Sequence, residues 1–349
     1  MNGKINKQAF ESIFGNKLGY QRSSIKTPPS FGVDVSIIDI GNNQEMALTS
    51  DPLSLIPSLG LQESAWLSVQ LMANDMATTG KAPQFGQFVL NLPSSISEQE
   101  LKIYWSYIDR YCKEIKLSIT GGHTGSIEGQ NSTIAGGGTL ITVANKGELL
   151  NSTQARTDDV LVMTKSCALS SAAILGMSFP QAISHRAGKD VAEQVSQLFY
   201  ETSSLKEGLL AASLNTDELV VSAMHDVTEG GVLGAVYEMA TAANQGVIIE
   251  ENQLKTEHVV CELFKVFELN PHYCIGAGAM LIAVKEKKVN ALISKLQENN
   301  IQARAIGKFL PKEKGISTVD VEGRIKEINY PENDPYWAAF FEAIKKGWK

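Results

Sequence analysis

The chain has 349 residues, 43% hydrophobic and 20% charged, a composition that suits a large buried core and, at this length, two domains. Its net charge is −7 without any block of Lys or Arg, which argues against nucleic acid as a partner. The four cysteines are widely spaced and no apolar run reaches membrane-spanning length, so we expect no zinc site, disulfide framework or membrane anchor. These features predict a reduced cytoplasmic protein.

In the first part of the chain, residues 50–80 are predicted to form a loop and then a helix. Trp66, Val69, Ala73 and Met76 fall at helical spacing in this segment, and Gly80 is placed to end the helix. A second helix is expected to begin near Ser97, where Ser97 and Glu100 can form a capping box. Short apolar runs predict strands at 35–40, 117–120 and 139–144.

A polar stretch at residues 147–159 marks the predicted domain boundary, giving domains 1–153 and 154–349. The second part alternates buried strand-like runs with amphipathic helices, which together predict an α+β protein. The strands are expected at 160–164, 219–223, 279–284 and 301–309, and the helices at 231–243, 256–268 and 286–299. The aromatic segment 335–349 is expected to be a helix that packs on its own body or on a partner.

Three aspartates lie in apolar surroundings: Asp34 after a short glycine-containing segment, Asp51 before a proline, and Asp75 late on the first helix. Magnesium prefers oxygen ligands and takes carboxylates together with phosphate oxygens, so the three are candidate ligands. Taken singly, Asp34 and Asp51 could instead be turn or cap residues. Asp75 is harder to explain in that way because unpaired carboxylates are rarely buried.

Paired glycines predict a phosphate-approaching turn at residues 120–124. Gly121 and Gly122 allow backbone N–H groups to come close to a phosphate, and His123 and Thr124 follow them. A tight turn without a ligand is the alternative, and His123 could be a hydrogen-bonded loop residue rather than an acid or base.

The most specific segment spans residues 224–234, where a strand ends at Asp226 and Gly230 and Gly231 open a helix. Helix N-termini attract anions, so Asp226, Thr228 and the glycines form a candidate phosphate site. Alternatively, Thr228 only caps the helix and the glycines only allow close packing.

In this order the segments resemble the superfamily of AIR synthase, the hydrogenase maturation factor HypE, selenophosphate synthetase and thiamine-monophosphate kinase. Residues 74–80 match N-D-(hydrophobic)-x-x-x-G, residues 121–124 match Gly-Gly-x-Ser/Thr, and residues 225–231 match H-D-x-T-x-G-G. The resemblance runs from about residue 15 to about residue 309 and is strongest to the HypE-like, AIR synthase-related branch.

This resemblance implies a PurM-like fold, with an N-terminal sheet domain that dimerises into a β-barrel and a C-terminal α/β sandwich. It implies ATP and Mg²⁺ in the interdomain cleft near the dimer interface, with Asp34, Asp51, Asp75 and Asp226 as metal ligands. Asp75, His123 and Asp226 are the implied catalytic residues. In the N-terminal loop, where Pro28 and Pro29 cannot donate an N–H, phosphate contact would rest on Lys26, Ser30 or Gly32. The implied nucleotide-contacting residues are Lys26, Gly32, Asp34, Asp51, Asn74, Gly121, Gly122, Thr124, Thr228, Gly230 and Gly231.

Three functions are compatible with these residues. The first is an ATP-dependent enzyme that phosphorylates an amide-like oxygen of a small molecule. The second is a non-catalytic, dimeric nucleotide-binding assembly factor with a maturation-protein partner, and the third is a small-molecule kinase of the thiamine-monophosphate kinase type. HypE proper ends in a cysteine, whereas Cys274 is the last cysteine here, so the HypE thiocarbamate reaction itself is not expected.

Overall fold

The computed structural model describes residues 4–15, 17–331 and 333–349. These residues form two β-sheets with helices packed against them. The strands are β1 (Ile25–Thr27), β2 (Ser36–Gly41), β3 (Gln44–Ser54), β4 (Phe85–Pro93), β5 (Ser118–Ile127), β6 (Ile134–Asn145), β7 (Asp159–Thr164), β8 (Val221–Asp226), β9 (Gly246–Glu250), β10 (Met280–Lys285), β11 (Ala303–Leu310), β12 (Ile316–Val319) and β13 (Ile325–Glu327). The α-helices are α1 (Lys7–Phe14), α2 (Leu61–Ala77), α3 (Glu98–Glu114), α4 (Leu169–Ser178), α5 (Pro180–Ala187), α6 (Lys189–Gln197), α7 (Leu205–Ala212), α8 (Gly231–Ala242), α9 (His258–Phe267), α10 (Val289–Gln297) and α11 (Pro335–Lys345).

The first sheet has the strand order β1-β2-β3-β6-β4-β5 and is antiparallel except for the β4–β5 pair. Its strands alternate between a buried face, which packs against α2 and α3, and an outer face. Along β4, Phe88 and Leu90 are buried, whereas Phe85 and Val89 point outward and are 42% and 39% exposed. One face of this sheet therefore lies open and carries apolar side chains.

Both helices predicted in this half are present. Helix α2 covers the predicted apolar positions and ends before Gly80. Helix α3 begins at the expected capping box: the Ser97 hydroxyl accepts from the Glu100 N–H at 3.2 Å, and the Glu100 carboxylate accepts from the Ser97 N–H at 2.7 Å.

Two predictions about local structure in this half were wrong. The loop expected from residue 50 is strand up to residue 54, because Asp51 and Pro52 pair with Gly138 and Gly137 of β6. Strand β2 pairs with β3 only as far as Leu48. The missing N–H of Pro52 therefore costs no hydrogen bond on that side of β3.

The turn expected at residues 120–124 is extended, because β5 continues through it as a parallel edge strand beside β4. Gly122 has φ +149°, and a Cβ there would lie 1.8 Å from the Phe88 carbonyl oxygen. The glycine at this position allows two strands to pair closely and does not form a turn.

The second sheet has the order β13-β12-β9-β11-β7-β10-β8. Its central strands are apolar on both faces: α8 packs on one side, while α7 and α10 pack on the other. The predicted strands and helices of this half are present, with ends that differ by a few residues. The chain is thus a mixed α+β protein built on two sheets.

A third apolar cluster joins α4, α5, α6, α9 and α11. Tyr336 and Phe340 of α11 are buried in it, so the aromatic C-terminal helix packs on the body of its own chain. Cys167 lies before α4 with no exposed surface, and burial raises the pKa of its thiol to about 12. Within the described residues, no helix is both long and apolar enough to cross a membrane.

Candidate functional site

The carboxylate of Asp75 is held where α2 passes strand β3. It lies near the end of α2, on the side that faces the first sheet, and accepts a hydrogen bond of 2.7 Å from the Thr49 hydroxyl. Asp51 lies two residues further along β3. Because side chains alternate along a strand, Thr49 and Asp51 point to the same face, toward α2.

Asp34 reaches the same region from the segment between β1 and β2. Gly32, two residues earlier, has φ +77°, and a Cβ there would lie 2.3 Å from the Glu238 carbonyl oxygen of α8. Glycine therefore lets this segment touch the α8 backbone, which holds the buried Asp34 carboxylate against the second sheet.

Asp226 and His225 come from the last two positions of β8, at the edge of the second sheet. Both are buried, and the His225 Nδ1 donates to the Asp226 backbone carbonyl oxygen at 2.6 Å. Its Nε2 lies 3.5 Å from Asp34 Oδ1 and 3.4 Å from Glu238 Oε2. The imidazole thus connects the aspartate that precedes β2 to a glutamate of α8.

Burial and mutual repulsion raise the pKa values of the four aspartates. Burial raises the pKa of Asp75 well above its usual value, and the charges of Asp51 and Asp34 raise it further. The pKa of Asp226 is raised in the same way by burial, Asp75 and Asp34. Burial, together with Glu229 and Asp226, raises the pKa of Asp51 to about 7.

Two cations, His225 and Lys4, offset part of the repulsion among the aspartates. Burial lowers the pKa of His225, but Asp34 and Glu238 outweigh it and bring that pKa to about 9. In the metal-free protein the imidazole is therefore charged at neutral pH and acts as a counter-ion to the neighbouring carboxylates. Burial raises the pKa of Asp34, although His225 and Lys4 oppose the shift.

The donor set fits a hard divalent cation. Ligand atoms of Asp34, His225 and Asp226 lie within 4.8 Å of one another, and Asp34 Oδ2 and Asp226 Oδ1 are buried without a hydrogen-bond partner among the described residues. Buried carboxylate oxygens without partners are costly unless a cation satisfies them. Carboxylate oxygens are the protein ligands that Mg²⁺ takes together with phosphate oxygens.

Other predicted residues lie elsewhere or are engaged in other contacts. Gly121, Gly122, His123 and Thr124 are exposed on the edge strand β5, with β6 and β4 lying between it and the strand of Asp51. Lys26 is exposed on β1, 3.9 Å from Asp39. Within this chain, these five residues are not part of the aspartate cluster.

Asn74 makes structural contacts instead of facing a ligand. Its amide nitrogen donates to the Thr202 carbonyl oxygen at 2.9 Å, and its amide oxygen accepts from the Ser204 N–H at 2.7 Å. The asparagine beside Asp75 thus ties α2 to the segment before α7.

The start of α8 also differs from the expected phosphate site. The Gly230 N–H donates to the Asp334 carboxylate at 2.9 Å, and the Gly231 N–H donates to the Thr228 carbonyl oxygen. These two donors are satisfied within the chain, so an anion at this helix end would have to displace Asp334 or use other groups.

Sequence reasoning missed two residues that contact the cluster. Glu238 is fully buried on the apolar helix α8, and an isolated carboxylate on an apolar helix was the same signal that identified Asp75. Lys4, whose ammonium lies 3.0 Å from Glu238 Oε2, precedes α1 and had no local signal.

Two family models that together cover most of the chain show that it belongs to the AIR synthase related protein family. The N-terminal domain model of that family matches residues 32–144, and its C-terminal domain model matches residues 156–320.

The sequence is similar to curated proteins with several different names. The chain is 24% identical to a putative hydrogenase expression/formation protein of Methanocaldococcus jannaschii, over 77% of this chain and 76% of that protein. It is 28% identical to a selenide, water dikinase of Methanococcus maripaludis, over 70% and 73%. It is also 28% identical to a thiamine-monophosphate kinase of Pyrococcus abyssi, over 67% and 70%.

Solved structures share the fold. A HypE–HypF complex matches with a TM-score of 0.68 at 18% identity, covering 93% of this chain and 98% of that one. A ThiL protein complexed with AMPPCP and TMP matches with a TM-score of 0.69 at 13% identity, covering 94% of each chain. HypE in complex with ATP matches with a TM-score of 0.65 at 16% identity, covering 96% and 97%.

Proposed function

We propose that this protein is an ATP- and magnesium-dependent enzyme that transfers the terminal phosphoryl group of ATP to an amide-like oxygen of a small molecule. The observation that carries the proposal is the convergence of Asp34, Asp51, Asp75 and Asp226 from four separate segments, with buried oxygen atoms left unpaired. The curated relatives named hydrogenase expression/formation protein and dikinase support the same class of chemistry.

The four aspartates would hold Mg²⁺ in this function. Bound Mg²⁺ would neutralise the phosphate oxygens and the negative charge that develops during transfer. The chain's own residues then supply position: the Thr49 hydroxyl orients Asp75, and charged His225 holds Asp34 against α8. Phosphoryl transfer depends mainly on alignment and charge neutralisation, so this set needs no nucleophilic side chain.

A homodimer paired through the open face of the first sheet belongs to the proposal. Phe85, Val89 and Ile134 are partly exposed on β4 and β6, and exposed apolar side chains on an uncovered sheet are typical of an interface. Such a dimer would cover the sheet that ends in β5, and would put His123 and its neighbours near the subunit boundary. Light scattering should report a dimer for the unaltered protein and a monomer for Val89→Asp; an unaltered monomer would rule this part out.

The central test is release of ADP. The purified protein is incubated with ATP, Mg²⁺ and small amide, thioamide or phosphate-ester acceptors, and ADP is measured against time. Asp75→Ala should abolish acceptor-dependent ADP release, whereas Asp217→Ala, on an exposed loop before β8, should leave it unchanged. Full turnover by the Asp75 variant would refute the metal role of the cluster.

Two other functions keep specific support. The thiamine-monophosphate kinase relative favours a kinase toward a small phosphate ester, and product analysis separates the two: a kinase yields a stable phosphorylated acceptor, whereas activation of an amide-like oxygen ends in free phosphate. The HypE–HypF complex favours an assembly factor with a maturation-protein partner. ATP binding without ADP release across all acceptors would support that alternative.

A further inference from the structure

Lys4 lies ahead of the region that the family model covers, which begins at residue 32. Its ammonium is 3.0 Å from Glu238 Oε2, while its side chain keeps 37% of its surface exposed. The segment before α1 thus brings a cation to the edge of the aspartate cluster.

Glu238 is a rigid support for this lysine. Its side chain has no exposed surface, its Oε1 accepts from the Tyr330 hydroxyl at 2.7 Å, and its Oε2 lies 3.4 Å from His225 Nε2. Burial alone would raise the pKa of Glu238, but Lys4, His225 and Tyr330 together lower it to about 2, so the carboxylate is ionised. An anion held from three sides fixes the lysine ammonium in one place.

Lys4 also acts on the whole cluster. Its charge lowers the pKa of Asp34, Asp51, Asp75 and Asp226, and His225 also lowers the pKa of Asp34 and Asp226. Since His225 is completely buried, a ligand arriving from solvent can reach only the lysine.

A polyphosphate that approaches four carboxylates meets strong repulsion unless cations lie beside it. An ammonium has three N–H donors, and one of them is used on Glu238. We propose that Lys4 donates a hydrogen bond to the terminal phosphate of the bound nucleoside triphosphate. The segment before α1 would then be part of the nucleotide site. This inference rests on the proposed function.

The experiment compares Mg²⁺-dependent binding of ATP, ADP and AMP by calorimetry. Lys4→Met should weaken ATP binding by roughly 10-fold or more, the effect expected for losing a charged hydrogen bond, and should change AMP binding by less than about 2-fold. Lys4→Arg should restore most of the preference for ATP. Lys7→Met removes an exposed lysine three residues later and is the matched control, expected to bind all three nucleotides like the unaltered protein.

Glu238→Gln provides a second variant that keeps Lys4 but removes its anchor, and it should reduce the ATP preference to a smaller extent. If Lys4→Met weakens ATP, ADP and AMP equally, the lysine only supports the fold and the inference is overturned. The same holds if the variant binds ATP normally. If the unaltered protein binds none of the nucleotides, the proposed function and this inference both fail.

Discussion

Replacing Asp51 with asparagine should stabilise the metal-free protein. Burial, together with the charges of Glu229 and Asp226, raises the pKa of Asp51 from 3.8 to about 7. An acid with a raised pKa in the folded state destabilises the fold when it is ionised. The free energy of unfolding therefore falls as pH rises from about 4 to about 7 and stays low above that.

The size of the change in the free energy of unfolding follows from the difference between the two pKa values of Asp51. Each pH unit between the two pKa values is worth about 1.4 kcal/mol, so ionised Asp51 costs the fold up to about 4 kcal/mol at pH 8. Asp51→Asn removes this charge and should recover most of that amount at pH 8. At pH 4, where the carboxyl group is already neutral, the same substitution should change little.

Urea denaturation in EDTA at pH 4 and pH 8 measures both values. Asp217→Asn on the exposed loop is the matched control, with no change expected. Saturating Mg²⁺ should reverse the ranking at pH 8, because a ligand that binds only the folded, ionised cluster stabilises the unaltered protein. Equal stability of Asp51→Asn and the unaltered protein at pH 8 in EDTA would show that neither burial nor the neighbouring carboxylates raise the pKa of Asp51.

Three further outcomes test other parts of the structure. His225→Gln should cost about 3 kcal/mol at pH 6 in EDTA and little at pH 10, because the pKa of His225 is raised to about 9 and its contribution is lost as pH rises through that value. A pH-independent loss would contradict this. Gly122→Ala should lower the melting temperature strongly, since its Cβ would meet the Phe88 carbonyl oxygen, whereas Gly121→Ala, with no atom closer than 3.9 Å, should be tolerated. Ser97→Ala should cost about 1 kcal/mol in urea denaturation by removing the cap of α3, and an unchanged midpoint would argue against the capping box.

The signals that sequence alone carried were local ones. Helical spacing and a capping box located α2 and α3, and continuous apolar runs located β7, β8, β10 and β11 of the second sheet. The isolated carboxylate on α2 pointed to Asp75. Each of these signals depends on residues within a few positions of one another, where backbone geometry leaves few choices.

Contacts between residues far apart in the sequence decided the structure of the two glycine-containing segments. The segment at 120–124 contains the residues of a tight turn, but pairing with β4 makes it an extended strand. Gly230 is suited to a helix-end anion site, but Asp334, about a hundred residues later, takes its N–H. Neither partner could be identified from the local pattern.

Sequence by itself determined the residue types at the site: carboxylates in apolar segments, which demand a cation or a buried partner. Tertiary structure decided which of them meet, and brought Glu238, His225 and Lys4 into the same cluster. The reason is physical: a buried charge is tolerable only beside its partners, and the packing of α2 and α8 against two different sheets sets which partners are within reach.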